Sequence, residues 1–315
     1  MSARGERGGG AAAPGNGDGT PGDGGAVGNG GMARGNGRGA APLVIRQGGR
    51  ESRLWIGTSG YSYAEWAEAG FYPRDTKSGQ MLRLYAARFP AAELNYTWYQ
   101  MPRAEAVERQ RGQAPPGFRF AAKLTRTLTH EVDPDAWRGE AARYRDGIAP
   151  LVQTGQLLAV LVQLPPRFHR SEANRRRLAE LLDALAGLPL AVEFRHRSWA
   201  TDRVLAELER RRVTLVTVDA PELPGLFPAL DAVTNPELVY ARFHGRNARG
   251  WRSGRMQLQF DYDYTADELR AWRDEKLLAM LRRARRGVIF FNNHVRAQAP
   301  RNAAAMRDLF EEAAG

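Results

Sequence analysis

Hydrophobic and polar positions along the chain follow two alternating rhythms. Nearly continuous apolar runs of five to eight residues are separated by stretches where apolar residues recur every three or four positions. The first rhythm suits a strand covered on both faces, the second an amphipathic helix. Strands are predicted at 54–58, 91–95, 118–123, 157–164, 190–195, 213–219, 238–244 and 287–292. Helices are predicted on Leu82, Tyr85 and Phe89, from Pro102 to Gly112, and near 138–148. Others carry Leu178, Leu181, Leu182 and Leu185, then Val204, Leu205 and Leu208. A capping box, Thr265-Ala-Asp-Glu268, opens a long helix, and a last one closes near Phe310. After 213–219 the return helix is undefined, because Pro221, Pro224 and Pro228 break the pattern. Strands alternating with helices imply a parallel sheet. Eight of them predict an α/β fold, a single (β/α)8 TIM-like barrel. No Gly-x-Gly-x-x-Gly turn follows the first strand and no GxxxxGK[ST] loop occurs, which argues against a nucleotide-cofactor or P-loop fold.

The N-terminal segment breaks this rhythm. The first fifty residues hold 18 of the 34 glycines and few sizeable apolar side chains, too few to offset the entropy of ordering them. We therefore expect a disordered Gly/Arg-rich tail over 1–52 and one barrel domain over 53–315. The tail has no apolar core of a secretory signal. Its Arg-Gly pairs, such as Arg4-Gly5 and Arg34-Gly35, read as a solvated linker. The chain has no run of 18 apolar residues, so no membrane partner is expected and the cytoplasm is the default location. It has no cysteine, which excludes disulfides, thiolate nucleophiles and Cys-bound zinc. A net charge of +11, with arginine far outnumbering lysine, favours anionic partners without specifying nucleic acid.

Barrel enzymes keep their chemistry at the carboxyl ends of their strands, and here every strand turns polar at that end. The ends supply Thr58 and Ser59, Glu93 and Asn95, Lys123, Gln163, Glu193 and Arg195, Thr217 and Asp219, Arg242 and His244, and Asn292 and Asn293. A charge placed inside an apolar strand, as at Glu93 and Glu193, is costly without a partner. Buried ion pairs can also be purely architectural, but eight polar ends of eight favour a pocket. Five histidines without metal-ligand spacing leave a divalent ion weakly supported, so no metal ligands are assigned and the cofactor is left open.

These same stretches carry a resemblance. Ile56-Gly-Thr-Ser-Gly-Tyr61, Phe71-Tyr-Pro73, Glu93-Leu-Asn-Tyr-Thr-Trp-Tyr99, Pro116-Gly-Phe-Arg-Phe-Ala-Ala-Lys123, Leu161-Val-Gln-Leu-Pro-Pro166, Glu193-Phe-Arg195, Ser198-Trp199, Phe243-His-Gly-Arg246 and Phe291-Asn-Asn293 are similar to the YecE-like family, domain of unknown function 72. The resemblance covers 54–313. It implies a TIM-like barrel and implies no reaction. Tyr96 and the 219–224 turn depart from the usual family pattern.

The residues themselves suggest an enzyme. Glu93, Glu193 and Lys123 are the catalytic candidates for acid–base chemistry on a small anionic or phosphorylated substrate, sugar-like ones included. Lys123 suits a Schiff base if desolvated, or otherwise a cation that neutralises a carboxylate or binds an anion. Tyr61, Asn95, Arg195, Asp219, Arg242, His244, Arg246 and Asn292 are the substrate-binding candidates, with arginines suited to bidentate anion contacts. Two alternatives stand beside this. One is a nucleic-acid-binding protein or metal-assisted phosphodiesterase, on the basic charge and loop aromatics. The other is a ligand-binding barrel without turnover. Oligomeric state is open.

Overall fold

The computed structural model describes residues 40–313. Nine strands form one sheet: β1 (Leu43–Gln47), β2 (Arg50–Ser59), β3 (Ala91–Leu94), β4 (Arg119–Lys123), β5 (Leu157–Gln163), β6 (Leu190–Glu193), β7 (Thr214–Asp219), β8 (Val239–Phe243) and β9 (Arg286–Phe291). Strands β2 to β9 are parallel and pair in sequence order, and β9 returns to pair with β2. The sheet is therefore a closed eight-stranded barrel with surrounding helices, the TIM-like fold that the alternating rhythms predict. Observed strand ends lie within two residues of the predicted ones for β3 to β9.

Period-2 geometry sends alternate side chains of each strand to opposite faces. Leu54, Ile56, Leu94, Phe120, Val160, Val192, Phe243 and Phe291 pack outward into the layer beneath the helices. Trp55, Ala91, Ala121, Leu161, Ala191, Val216, Val288 and Phe290 pack together inside. Both faces are apolar, which is why the strands read as continuous runs. Several helices carry side-chain caps at their amino ends. Ser171 accepts from the Asn174 N–H and Thr201 from the Val204 N–H. Thr265 and Glu268 form the reciprocal capping box. Among the described residues no helix is long and apolar enough to cross a membrane.

Three features differ from the sequence reading. First, the expected tail boundary at 52 is too late. Residues Leu43–Gln47 form an antiparallel hairpin with β2, which itself begins at Arg50, Leu43 facing Leu54 and Gln47 facing Arg50. Gly48 and Gly49 both have positive φ, at 57° and 74°, the conformation a tight hairpin turn requires. The rest of the expected tail, 1–39, lies outside the described residues. Second, no helix joins β7 to β8. The proline-rich loop is instead pinned to the outer face of β7 by side chains. Thr234 Oγ1 accepts from Leu215 N and donates to Val213 O, and Thr217 Oγ1 donates to Leu230 O. Third, the helix opened by Thr265 widens after Trp272 into a π-turn at Arg273–Leu277 before ending as Leu278–Leu281.

Strands β2 and β3 approach closely at Gly57. A methyl group on Gly57 would sit 2.1 Å from the Ala91 carbonyl oxygen and 2.8 Å from the Tyr85 hydroxyl. That hydroxyl is the acceptor for Thr58 N–H and donates to Ala91 O. Gly57→Ala must push the two strands apart. We expect it to lower stability by about 2–3 kcal/mol in denaturant titration; unchanged stability would show that the strands separate freely.

Candidate functional site

The inward positions of the strands change character along the barrel. The apolar plug fills its amino-terminal half. Above it, β2 contributes Ser59, β3 Glu93, β4 Lys123, β5 Gln163, and β8 Tyr240 and Arg242. Glu193 ends β6, with Arg195 two residues on. His244 and Asn292 leave β8 and β9 with the same parity.

Arg242 sits at the centre. Nη2 donates to Glu93 Oε1 at 2.6 Å and Nη1 to Glu193 Oε2 at 2.6 Å. Its two nitrogens also reach Ser59 Oγ and Gln163 Oε1, each at 3.3 Å. The Tyr240 hydroxyl donates to Glu93 Oε2 at 2.6 Å. Arg195 Nε lies 2.5 Å from Glu193 Oε1, and Arg195 Nη2 lies 3.1 Å from His244 Nε2. Asn292 Nδ2 holds the other ring nitrogen of His244 at 3.0 Å. Glu93, Glu193 and His244 have no exposed surface, and Arg242 keeps 1 %.

Burial without compensation would force these groups neutral. Burial alone would raise the Glu193 pKa, but Arg195, Arg242 and His244 overcome it and hold the carboxyl well below its ordinary range. Burial likewise opposes the charge on Arg242, yet Glu193 and Glu93 keep it firmly protonated. Burial, then Glu93, raises the Tyr240 hydroxyl well above its ordinary value. Burial and Arg195 push His244 down to about 3, so its ring is neutral near pH 7. Two carboxylates are thus matched by two guanidiniums, and the predicted acid–base pair Glu93 and Glu193 is committed to ion pairs.

Lys123 is different. Its amine lies 4.8 Å from the centre of the Trp98 ring. Among the described residues no carboxylate comes within ion-pair distance and no hydrogen bond engages the amine. Burial, with help from Arg242, lowers its pKa to about 7 against the pull of Glu93 and Glu193. The side chain is only partly exposed. It is an extra positive charge above an already balanced network. Lys77, Lys123 and Lys276 are the only lysines among 46 basic Lys and Arg residues. Other buried groups at the mouth are also unsatisfied. The indole N–H groups of Trp98 and Trp251 and the side-chain oxygen of Asn95 are buried without partners among the described residues. Trp251 faces the Arg195 guanidinium at 5.4 Å. Phe260 and Trp251 both approach the His244 ring.

The structure brings Glu93, Lys123, Glu193, Arg195, Arg242, His244 and Asn292 to one mouth, with Asn95 beside them. It places Asp219, Arg246 and Tyr61 elsewhere. On β7 the inward side chains are Val216 and Val218, so Asp219 faces the helix layer. There it binds Arg246 through both carboxylate oxygens, at 2.6 and 3.0 Å, and accepts from the Tyr264 hydroxyl at 2.8 Å. Arg246 also reaches Glu268 at 3.2 Å. Tyr61 packs on Tyr85, and its hydroxyl accepts from Gln110 Nε2 at 2.6 Å. Tyr240 was missed as a site residue, although its alternation with Arg242 and His244 signals the inward face. Trp98 and Trp251 carried no sequence signal beyond their place in loops. Among the described residues no three histidines or acidic groups are arranged to hold a metal ion.

Two outcomes follow. Arg242→Met leaves two buried carboxylates without their shared partner and should cost about 3–5 kcal/mol in denaturant unfolding; a loss under about 1 kcal/mol would show that the network is solvated. The second concerns acid. Unfolded histidine gains its proton near pH 6.5, whereas folded His244 resists to about 3 and His130 to about 4. In that window the unfolded chain binds more protons, so stability falls as pH drops. His244→Asn should flatten that slope between pH 6.5 and 4, measured by chemical denaturation across pH.

The comparisons agree with this architecture. Residues 55–315 match the family model described as "Protein of unknown function DUF72". The UPF0759 protein YunF of Bacillus subtilis is 25% identical over 272 residues, covering 82% of this chain and 95% of that protein. The UPF0759 protein YecE of Escherichia coli K12 is 27% identical over 191 residues, 58% of this chain and 65% of that one. A DUF72 family protein from Thermotoga maritima superposes with a TM-score of 0.74 at 33% identity, over 82% of this chain and 99% of its own. One from Enterococcus faecalis gives 0.74 at 27% identity, over 82% and 95%. A barrel with these strand-end residues, matched along its whole length by the family model, belongs to the DUF72 (YecE-like) family.

Proposed function

We propose that the mouth of this barrel is the pocket of an enzyme for a small anionic substrate, phosphorylated sugars included, in which Lys123 is the group that meets the substrate and moves a proton. The observation that carries the reading is the unpaired amine of Lys123, poised at a pKa of about 7 beside a charge-balanced network. A group that titrates near the working pH can both accept and return a proton. Glu93 and Glu193 are assigned a fixed electrostatic role in place of proton transfer, because Arg242 is paired with both and Arg195 with Glu193. An anion at the mouth would neutralise the surplus charge and satisfy the indole N–H groups of Trp98 and Trp251. Arg195 and Asn292 position His244 beneath it.

Two measurements test this. With only three lysines, ¹³C-methyl labelling gives an assignable NMR titration. Lys123 should titrate near pH 7, and inorganic phosphate should move its midpoint upward, since a nearby anion favours the charged amine. A midpoint above about 9 that phosphate leaves in place would sink the reading. The second is stability. Unfolded lysine stays charged to about pH 10.4, folded Lys123 only to about 7. Between these values the unfolded state binds more protons, so stability rises with pH. Lys123→Met should remove that rise and stabilise the protein at pH 7, by more than about 1 kcal/mol.

A further inference from the structure

We infer that Lys123 captures a small carbonyl compound bearing a carboxylate or phosphate, as an imine formed at the mouth between Trp98, Trp251 and Arg195. The inference rests on the anion reading above and names the substrate class.

The choice of residue is the first argument. This chain meets almost every need for a cation with arginine; Lys77 and Lys276 are its only other lysines. For anion binding alone a guanidinium offers more donors and a planar fork. Of the two cationic side chains, the lysine amine is the one that forms an imine with a carbonyl carbon. Arg195 and Arg242 already occupy the same mouth, so another arginine would fit its chemistry if binding were all that was required.

The surroundings are the second. The amine faces the Trp98 ring at 4.8 Å rather than a carboxylate, so no ion pair must break before it reacts. The indole N–H groups of Trp98 and Trp251 are buried donors without acceptors among the described residues. Arg195 lies against Trp251. This surplus of donors suits the anionic end of a substrate. The side-chain oxygen of Asn95 is an acceptor without a donor, suited to a hydroxyl.

The step balances without a further reagent. The neutral amine adds to the carbonyl carbon, forming a C–N bond and a carbinolamine. The C–O bond then breaks. The oxygen leaves as water with the two protons that nitrogen gives up. The imine takes one proton from solvent, and the resulting cation faces the Trp98 ring and the fixed charges of Glu93 and Glu193. The surplus positive charge of the resting amine is kept, so the network need not rearrange.

The test uses the full chain at pH 7 with glyoxylate, pyruvate and dihydroxyacetone phosphate in separate reactions, each with sodium cyanoborohydride. Peptide mapping by mass spectrometry locates the reduced adduct. At least one probe should label Lys123 about tenfold faster than Lys77, Lys276 or the terminal amine. Inorganic phosphate should slow that labelling several-fold. Lys123→Arg should abolish it. Labelling at equal rates on all amines, or none at Lys123 with any probe, overturns the imine. If phosphate still shifts the Lys123 titration in that case, the anion pocket stands and only the imine falls; if it does not, both fall.

Discussion

A guanidinium buried inside a closed barrel must be matched by negative charge, and that constraint organises the upper half of this molecule. Arg242 is fully enclosed with a carboxylate on either hand. Removing ions from water costs several kcal/mol each, which pairing recovers only when the geometry is good and the remaining donors are satisfied. Here Ser59, Gln163, Tyr240, Arg195 and His244 satisfy most of the set, while Arg242 Nε stays buried without a hydrogen-bond partner among the described residues. Five barrel strands and two of the turns that follow them contribute. The inward polar strand ends are therefore one electrostatic unit, and most of it is architecture.

That unit also explains how far the sequence could be read. The strands were legible because a doubly covered strand is apolar throughout, and the helices because their stripes recur at helical spacing. The inward carboxylates were legible because a charge within an apolar run has few places to go. Facing was harder. In β7, Thr-Leu-Val-Thr-Val-Asp, each face carries one threonine and at least one aliphatic residue below the terminal Asp219, so the strand does not declare which parity points in. Asp219 looked like a site residue and instead faces out, clamped by Arg246 and Tyr264. Tyr240 lay unnoticed for the opposite reason, since an aromatic in a strand is ordinarily core. The hairpin over 43–52 hid in glycine-rich composition, although Gly48-Gly49 is itself a turn signal.

On the proposed reading, what the carboxylates were expected to do passes to a neighbour. A general acid or base must exchange its proton near the working pH. Glu193 cannot, because the arginines that make its burial tolerable also fix it ionised. His244 cannot, because burial and Arg195 keep it neutral. The forces that stabilise the network thus disable Glu193 and His244, whereas Lys123 stands outside the pairing among the described residues.

An unpaired amine in such a place destabilises the fold. Its lowered pKa is a measure of that penalty, since the folded state holds the proton less well than the unfolded chain does. Methionine would fill similar space without charge, and glutamine would offer hydrogen bonds. Arginine, the residue this chain uses nearly everywhere else, would bind an anion with more donors. Each alternative lacks one property that lysine has: a nitrogen lone pair exposed at neutral pH. Strain and unpaired charge persist in proteins chiefly where a function over-determines them. By that reasoning the cost at Lys123 is what the proposed chemistry would account for, and the paired charges beside it are the support that leaves the amine unpaired.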